Sequence, residues 1–181
     1  LLVLLPKPLD RRGERRRSPL LEAAYLARRL AEAGLKGLVF AGARKSAELI
    51  ARYAAHPLVR PYRAGYTARE RRRLEADLKE GRVRVLVSTS ALELGVDIGE
   101  LDAVVLVGYP GSTAAFWQRA GRAGRGERRA LLVYIPREDP MDEYFLHRPA
   151  LLLESPPEEA VADPQNPVLC PLHLHAAARE K

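Results

Sequence analysis

The sequence predicts an α/β fold, a mostly parallel central sheet with helices on both faces. Three observations carry that expectation. Apolar runs of strand length alternate with amphipathic helical stretches along almost the whole chain. Most of those runs are continuously apolar, as parallel strands are when both faces of the sheet are covered. The 181 residues, 47% hydrophobic and 29% charged, suffice for one domain with a buried core and would cramp two.

Strands are expected at residues 1–5, 38–41, 58–62, 83–88, 103–107 and 130–135. The charged stretch 7–17, with its proline and glycine, reads as an exposed loop or hairpin. Ser18 followed by Pro19 is an N-cap with proline at the first helical position. This first helix sets Leu21, Tyr25, Leu26 and Leu30 on one stripe and ends at Gly34. A second helix runs from about Ala43 to Ala55. Thr67 and Glu70 form a capping box for a third, with Leu74 and Leu78 four apart and Gly81 as its stop. A fourth starts near Ser112 or Thr113 and carries Phe116 and Trp117, and Asp139 with Pro140 caps a fifth containing Tyr144 and Phe145. Beyond Pro149 repeated prolines break any long element. Residues 150–181 are therefore expected to form a Pro-rich helical extension of a domain spanning 1–149, leading toward a further domain.

The 30 basic residues against 23 acidic ones give a net charge of +7, and 25 of the 30 are arginine. The planar guanidinium matches phosphate oxygens, so a polyanionic partner fits, although an arginine-rich proteome gives the same ratio. Leu1 to Leu5 is too short to span a bilayer and has no cationic segment before it, so neither membrane insertion nor export is expected. One cysteine, Cys170, suits a reducing compartment, the cytoplasm.

Position gives the charge its meaning. The stretch Gln118-Arg119-Ala120-Gly121-Arg122-Ala123-Gly124-Arg125 interleaves arginines with small residues, the composition of a loop that stabilises charge on a transferring phosphoryl group; taken alone it also reads as a solvated basic loop. The strand 83–88 ends at Ser88 and runs into Thr89 and Ser90, followed by Gly95 and Asp97. In an open parallel sheet ligands bind beyond the carboxyl ends of the strands, where Ser88 and Thr89 suit a backbone phosphate and Asp97 a ribose hydroxyl; a helix cap and turn is the plainer reading. Tyr62-Arg63-Ala64-Gly65-Tyr66 and Gly42-Ala43-Arg44-Lys45-Ser46 follow two further strands. All four clusters are expected on one rim of the sheet.

In order and spacing these four clusters resemble motifs IV, IVa, V and VI of superfamily 2 helicases. Leu101 to Ser112, Phe116 to Arg125 and Asp139 to Phe145 narrow the likeness to the bacterial MrfA (YprA-like) DNA-repair helicases and their fungal RecQ-like relatives. Asp163 to Pro167, His173 and Ala176 to Ala178 resemble the segment that follows the motor in that family. The resemblance implies the second RecA-like domain, of three-layer, P-loop NTPase-like type. It implies that Arg122 and Arg125 reach the ATP phosphates, that Gln118 helps to orient the attacking water or the γ-phosphate, and that Gly95 and Asp97 touch the nucleotide. Arg44, Arg63, Gly65, Ser88 and Thr89 would hold the phosphate backbone of single-stranded DNA. Glu93 receives no role.

The sequence contains no Gly-x-x-x-x-Gly-Lys-[Ser/Thr] cradle, and its one Asp-Glu pair, Asp142-Glu143, falls inside the fifth expected helix and not at a strand end where a magnesium motif would stand. ATP and Mg2+ are accordingly expected mainly on a first RecA-like domain of the same protein, and no cofactor on the isolated domain, which is expected to be monomeric and inactive. Cys170, His173 and His175 are too few to expect a metal. The rival readings are another superfamily 2 branch, such as a RecQ-like or Cas-associated translocase, and a non-catalytic nucleic-acid-binding module. Intact Gln118, Arg122, Arg125, Gly95 and Asp97 favour the motor, because a pure binder needs no ribose-facing carboxylate.

Overall fold

The computed structural model describes residues 2–3, 6, 16–93, 96, 98–124, 129–156, 158, 163 and 165–180. Six parallel strands form one sheet: β1 (Leu2–Val3), β2 (Gly37–Phe40), β3 (Val59–Pro61), β4 (Val85–Ser88), β5 (Ala103–Val107) and β6 (Leu131–Ile135), in the spatial order β1-β6-β5-β2-β4-β3. Among the described residues the helices are α1 (Pro19–Glu32), α2 (Arg44–Ala54), α3 (Ala68–Lys79), α4 (Thr113–Ala120), α5 (Pro140–His147), α6 (Pro149–Glu154) and α7 (Leu169–Arg179), with a 3-10 turn at Ser90–Leu92. The caps read from the sequence are present. Ser18 Oγ accepts from Leu20 N, Thr67 and Glu70 close a reciprocal box, and Ser112 and Asp139 cap α4 and α5.

Alternation along each strand divides the core between two faces. Val39, Val87, Val105, Val107, Val133 and Ile135 face α1 and α2. Leu38, Phe40, Leu86, Val104, Leu106 and Tyr134 face Leu78, Leu92, Phe116, Phe145 and Leu152. Each such side chain, fully buried, contributes on the order of 1.5–3 kcal/mol.

The stripe expected on α1 is wrong in part. Leu21 and Tyr25 are exposed, and the buried face is Ala23, Ala24, Ala27, Leu30 and Ala31. α1 lies against both α2 and the sheet, and small side chains permit that close approach where a row of leucines and a tyrosine would hold the helix off. Past the core, α6 buries Leu152, whereas no residue of α7 is buried and Val168, Leu169, Leu172 and Leu174 are exposed. Cys170, His173 and His175 lie on or within α7, exposed. Among the described residues no helix is long and apolar enough to cross a membrane.

Candidate nucleotide and nucleic-acid site

Three of the four clusters lie where expected, beyond the carboxyl ends of β2, β3 and β4. Ala41 N donates to Ser88 O at 2.7 Å, extending the β2–β4 ladder by one residue, after which Gly42 and Ala43 lead into α2 with Arg44 exposed at its first position. Tyr62 N donates to Val87 O at 2.8 Å and ends the β3 pairing. The Tyr62 ring is buried and its hydroxyl donates to Glu75 at 2.7 Å; burial first and the neighbouring carboxylate second push the phenol up to about 12. Arg63 follows, exposed, its guanidinium 4.8 Å from the centre of the Tyr66 ring and paired with Glu48. The turn closes with Tyr66 N donating to Arg63 O at 3.1 Å, and Gly65 is exposed within it.

Thr89 completes this rim. It lines one cleft with Gly42, Arg44, Ala64 and Ser90, and an adjoining cleft with Gly108, Arg119 and Arg137. The structure thus gathers Arg44 and Thr89 around one opening, with Arg63 and Gly65 flanking it. Ser88 stands apart from them. As the last residue of β4 it pairs with Phe40 and is wholly buried, with no hydrogen-bond partner for Oγ among the described residues.

The fourth cluster departs in part from the expectation of a common rim: Arg119 lines the rim cleft with Thr89, but the rest of the motif runs away from it. α4 starts beyond the carboxyl end of β5 and carries the chain back across the sheet, so the motif ends near the amino ends of the strands, where Gly124 N donates to Leu101 O at 3.2 Å. Gln118 is exposed on the last turn of α4. Arg119 lies with its guanidinium 5.5 Å from the Phe40 ring centre and its Nε donating to Glu93 Oε2 at 2.9 Å. Arg122 is buried at 7% exposure, donating from Nε to Glu93 O and from Nη1 to Val96 O, both at 3.0 Å, with Nη2 also on Glu93 O. Leu92, fully buried, anchors the loop that offers these carbonyls. Gly95, Asp97 and Arg125 lie outside the described residues.

Two further groups brace the rim. Asp142, fully buried, accepts from Tyr109 N at 2.7 Å and from the Tyr134 hydroxyl, and its Oδ2 stands 3.3 Å from Arg137 Nε. Burial and the hydrogen bond to Asp139 push the Asp142 carboxyl up. Arg137, also 2.9 Å from Asp139, lies across Gly108, whose φ of +81° and missing side chain leave room for it. Glu158 accepts from Thr113 N at 2.6 Å and Ala114 N at 3.0 Å, and these amides at the start of α4 hold its carboxyl down at about 2. Glu93, Arg119, Arg137 and Glu158 had no role in the sequence reading; only the presence of the first two inside motifs V and VI could have pointed to them.

Residues 20–127 match the family model of the helicase conserved C-terminal domain. The chain belongs to that family. As a helicase C-terminal domain it is 38% identical over 185 residues to the uncharacterized ATP-dependent helicase YprA of Bacillus subtilis, covering 98% of this chain and 24% of that protein. It is 38% identical over 176 residues to the ATP-dependent helicase hrq1 of Schizosaccharomyces pombe, covering 91% and 17%. The crystal structure of the DUF1998 helicase MrfA bound to DNA and AMPPNP superposes with a TM-score of 0.82 at 37% identity, covering 95% of this chain and 25% of that one. This helicase C-terminal domain therefore spans about a quarter or less of these relatives. Its parallel sheet flanked by helices is the RecA-like fold, and the Escherichia coli DEAD-box protein SrmB, at 21% identity and a TM-score of 0.67, shares that fold.

Proposed function

We propose that this domain is the C-terminal motor half of an ATP-dependent superfamily 2 DNA helicase working in DNA repair in the cytoplasm. ATP and Mg2+ are held mainly by a first RecA-like domain of the same protein. The observation that carries this reading is the loop running from Thr89 to Val96: its start lines the rim with Arg44, and its later carbonyls hold Arg122. One short segment thereby joins a surface suited to a phosphodiester backbone to an arginine suited to charge on a transferring phosphoryl group. The donor set fits an edge contribution, since Gln118, Arg122 and Arg125 supply polar and positive groups and no phosphate cradle. The similarity to YprA and hrq1, both ATP-dependent helicases, and to MrfA in its complex with DNA supports the same assignment.

The test is DNA-stimulated ATP turnover by the full-length protein. Arg122→Ala or Arg125→Ala slows it by about a thousandfold or more with DNA affinity nearly unchanged, while the 181-residue chain alone turns over no ATP. Robust turnover by the isolated chain, or an Arg122→Ala protein that loses DNA affinity and keeps normal turnover at saturating DNA, overturns the assignment.

A further inference from the structure

Resting on that reading of the chain as a motor half, the inference concerns two residues to which it gives no task. Glu93 and Arg119 come from segments 26 residues apart and meet at 2.9 Å, with side chains only 15% and 13% exposed. Burying an ion pair costs desolvation that its attraction offsets only with good geometry, so such a pair is weak evidence for stability. What singles this one out is what else its members hold. The Glu93 carboxylate takes Arg119, while the main-chain carbonyl of the same residue takes Nε and Nη2 of Arg122. Arg119 in turn lies over Phe40, the last residue of β2, whose continuation leads through Gly42 to Arg44 on the rim.

We infer that Glu93 and Arg119 are a positioning pair. The ion pair fixes the Glu93 carbonyl, that carbonyl sets the guanidinium of Arg122, and the contact with Phe40 ties this setting to the end of the strand beneath the DNA-binding rim. In this role neither side chain needs to touch phosphate. Arg119 also lines the cleft shared with Thr89 and Gly108, which makes a direct phosphate contact the competing role to be tested.

The experiment uses the full-length protein with Glu93→Gln, Arg119→Gln and the double variant, each checked for an unfolding midpoint close to wild type. A positioning pair predicts that both single variants slow turnover at saturating ATP and DNA by about tenfold or more, because small misplacements of a group acting on the transition state are expensive. KM for ATP and DNA affinity stay within about threefold of wild type, and the double variant is no slower than the slower single one. Wild-type turnover in both single variants, or losses that multiply in the double, overturns the inference. A phosphate contact separates the two variants instead: Arg119→Gln binds DNA more weakly and Glu93→Gln more tightly, which also overturns it. Should Arg119→Gln not fold, Arg119→Lys keeps a cation near Phe40 and gives up the Nε donor; normal turnover by that variant is equally decisive. Failure of the motor reading looks different, with wild-type protein indifferent to DNA or Arg122→Ala at wild-type turnover. Active wild type, a silent Arg122→Ala and two normal pair variants remove this inference alone.

Discussion

Arg63 and Arg122 carry the same guanidinium into opposite surroundings. Arg63 stands at the end of β3, 45% exposed, stacked on Tyr66 and paired with Glu48, another exposed side chain. Arg122 is buried below α4 and gives all three of its nitrogen positions to main-chain carbonyls. The first arrangement leaves the side chain able to exchange its partner for a phosphate at little cost, since an exposed ion pair contributes on the order of 0–1 kcal/mol. The second fixes the side chain, because leaving would strand its own buried guanidinium and two half-buried acceptors. Under the proposed function, a grip that must release as a motor advances and a charge that must stand in one place would thus be served by one residue type, separated by burial.

The largest effect expected from this contrast is on stability. Arg122→Ala removes the donors to Glu93 O and Val96 O and should destabilise the 181-residue chain by about 1–3 kcal/mol, because both acceptors are only half-buried and keep part of their access to water. Arg63→Ala should stay within about 0.5 kcal/mol of wild type. Denaturant unfolding of the two variants measures both, and equal midpoints would break the contrast between an anchored and an exchangeable arginine.

How far the contrast was legible in the sequence depends on the reach of each interaction. Caps at Ser18, Thr67, Ser112 and Asp139 involve neighbours two or three residues away, and all four are where the residues predict them. The apolar runs placed every strand, because continuous burial leaves a continuous signal. Depth was harder to read. Ser88 has the sequence of a rim residue and the position of a core residue, since one step along a strand end separates the two. Tyr62, which opens a cluster expected on the rim, is buried by the same kind of step and leaves Tyr66 beside Arg63. The pairings of Glu93 with Arg119 and of Asp142 with Tyr109 N, 26 and 33 residues apart, have no local signature. The path of α4 was equally hidden, because a helix start fixes where the element begins and not which end of the sheet it returns to.

α4 joins the two regions, and its amino end supplies the next test. Glu158 is held down at about 2 against its ordinary 4.5 by the amides of Thr113 and Ala114, so the folded protein favours the ionised form. A depressed folded value stabilises above the unfolded one, so this contribution is complete above about pH 4.5 and is lost as pH falls toward 2. Glu32, Glu70 and Asp139 are also held down and steepen the same acid limb. Glu158→Gln should therefore lower the midpoint at neutral pH and flatten the limb without abolishing it, as thermal unfolding at a series of pH values would show. A curve parallel to wild type throughout would mean that the start of α4 does not depend on this carboxylate.

The smallest effects belong to the rim, where no single side chain is fixed. Arg44 lines the cleft with Thr89 and Ala64, and Arg63 is exposed next to Ala64 in the chain; under the proposed function they meet phosphates rather than bases, so the rim should hold single-stranded DNA with little sequence preference and lose affinity steeply as salt rises. Stacking adds little, since Tyr66 already carries the Arg63 guanidinium. Arg44→Ala and Arg63→Ala should each flatten the dependence of log affinity on log salt by about 0.7, the single-strand value for one neutralised phosphate. Glu48 sharpens the point. It now shares the Arg63 charge, so Glu48→Gln should tighten binding a few-fold at low salt, and combined with Arg63→Ala it should tighten it less, because the partner through which it acts is gone. Binding titrations of the full-length protein at several salt concentrations separate these cases. An Arg63→Ala slope equal to wild type, with Glu48→Gln still tightening binding in its presence, would show that Arg63 spends its charge on Glu48 and never on DNA.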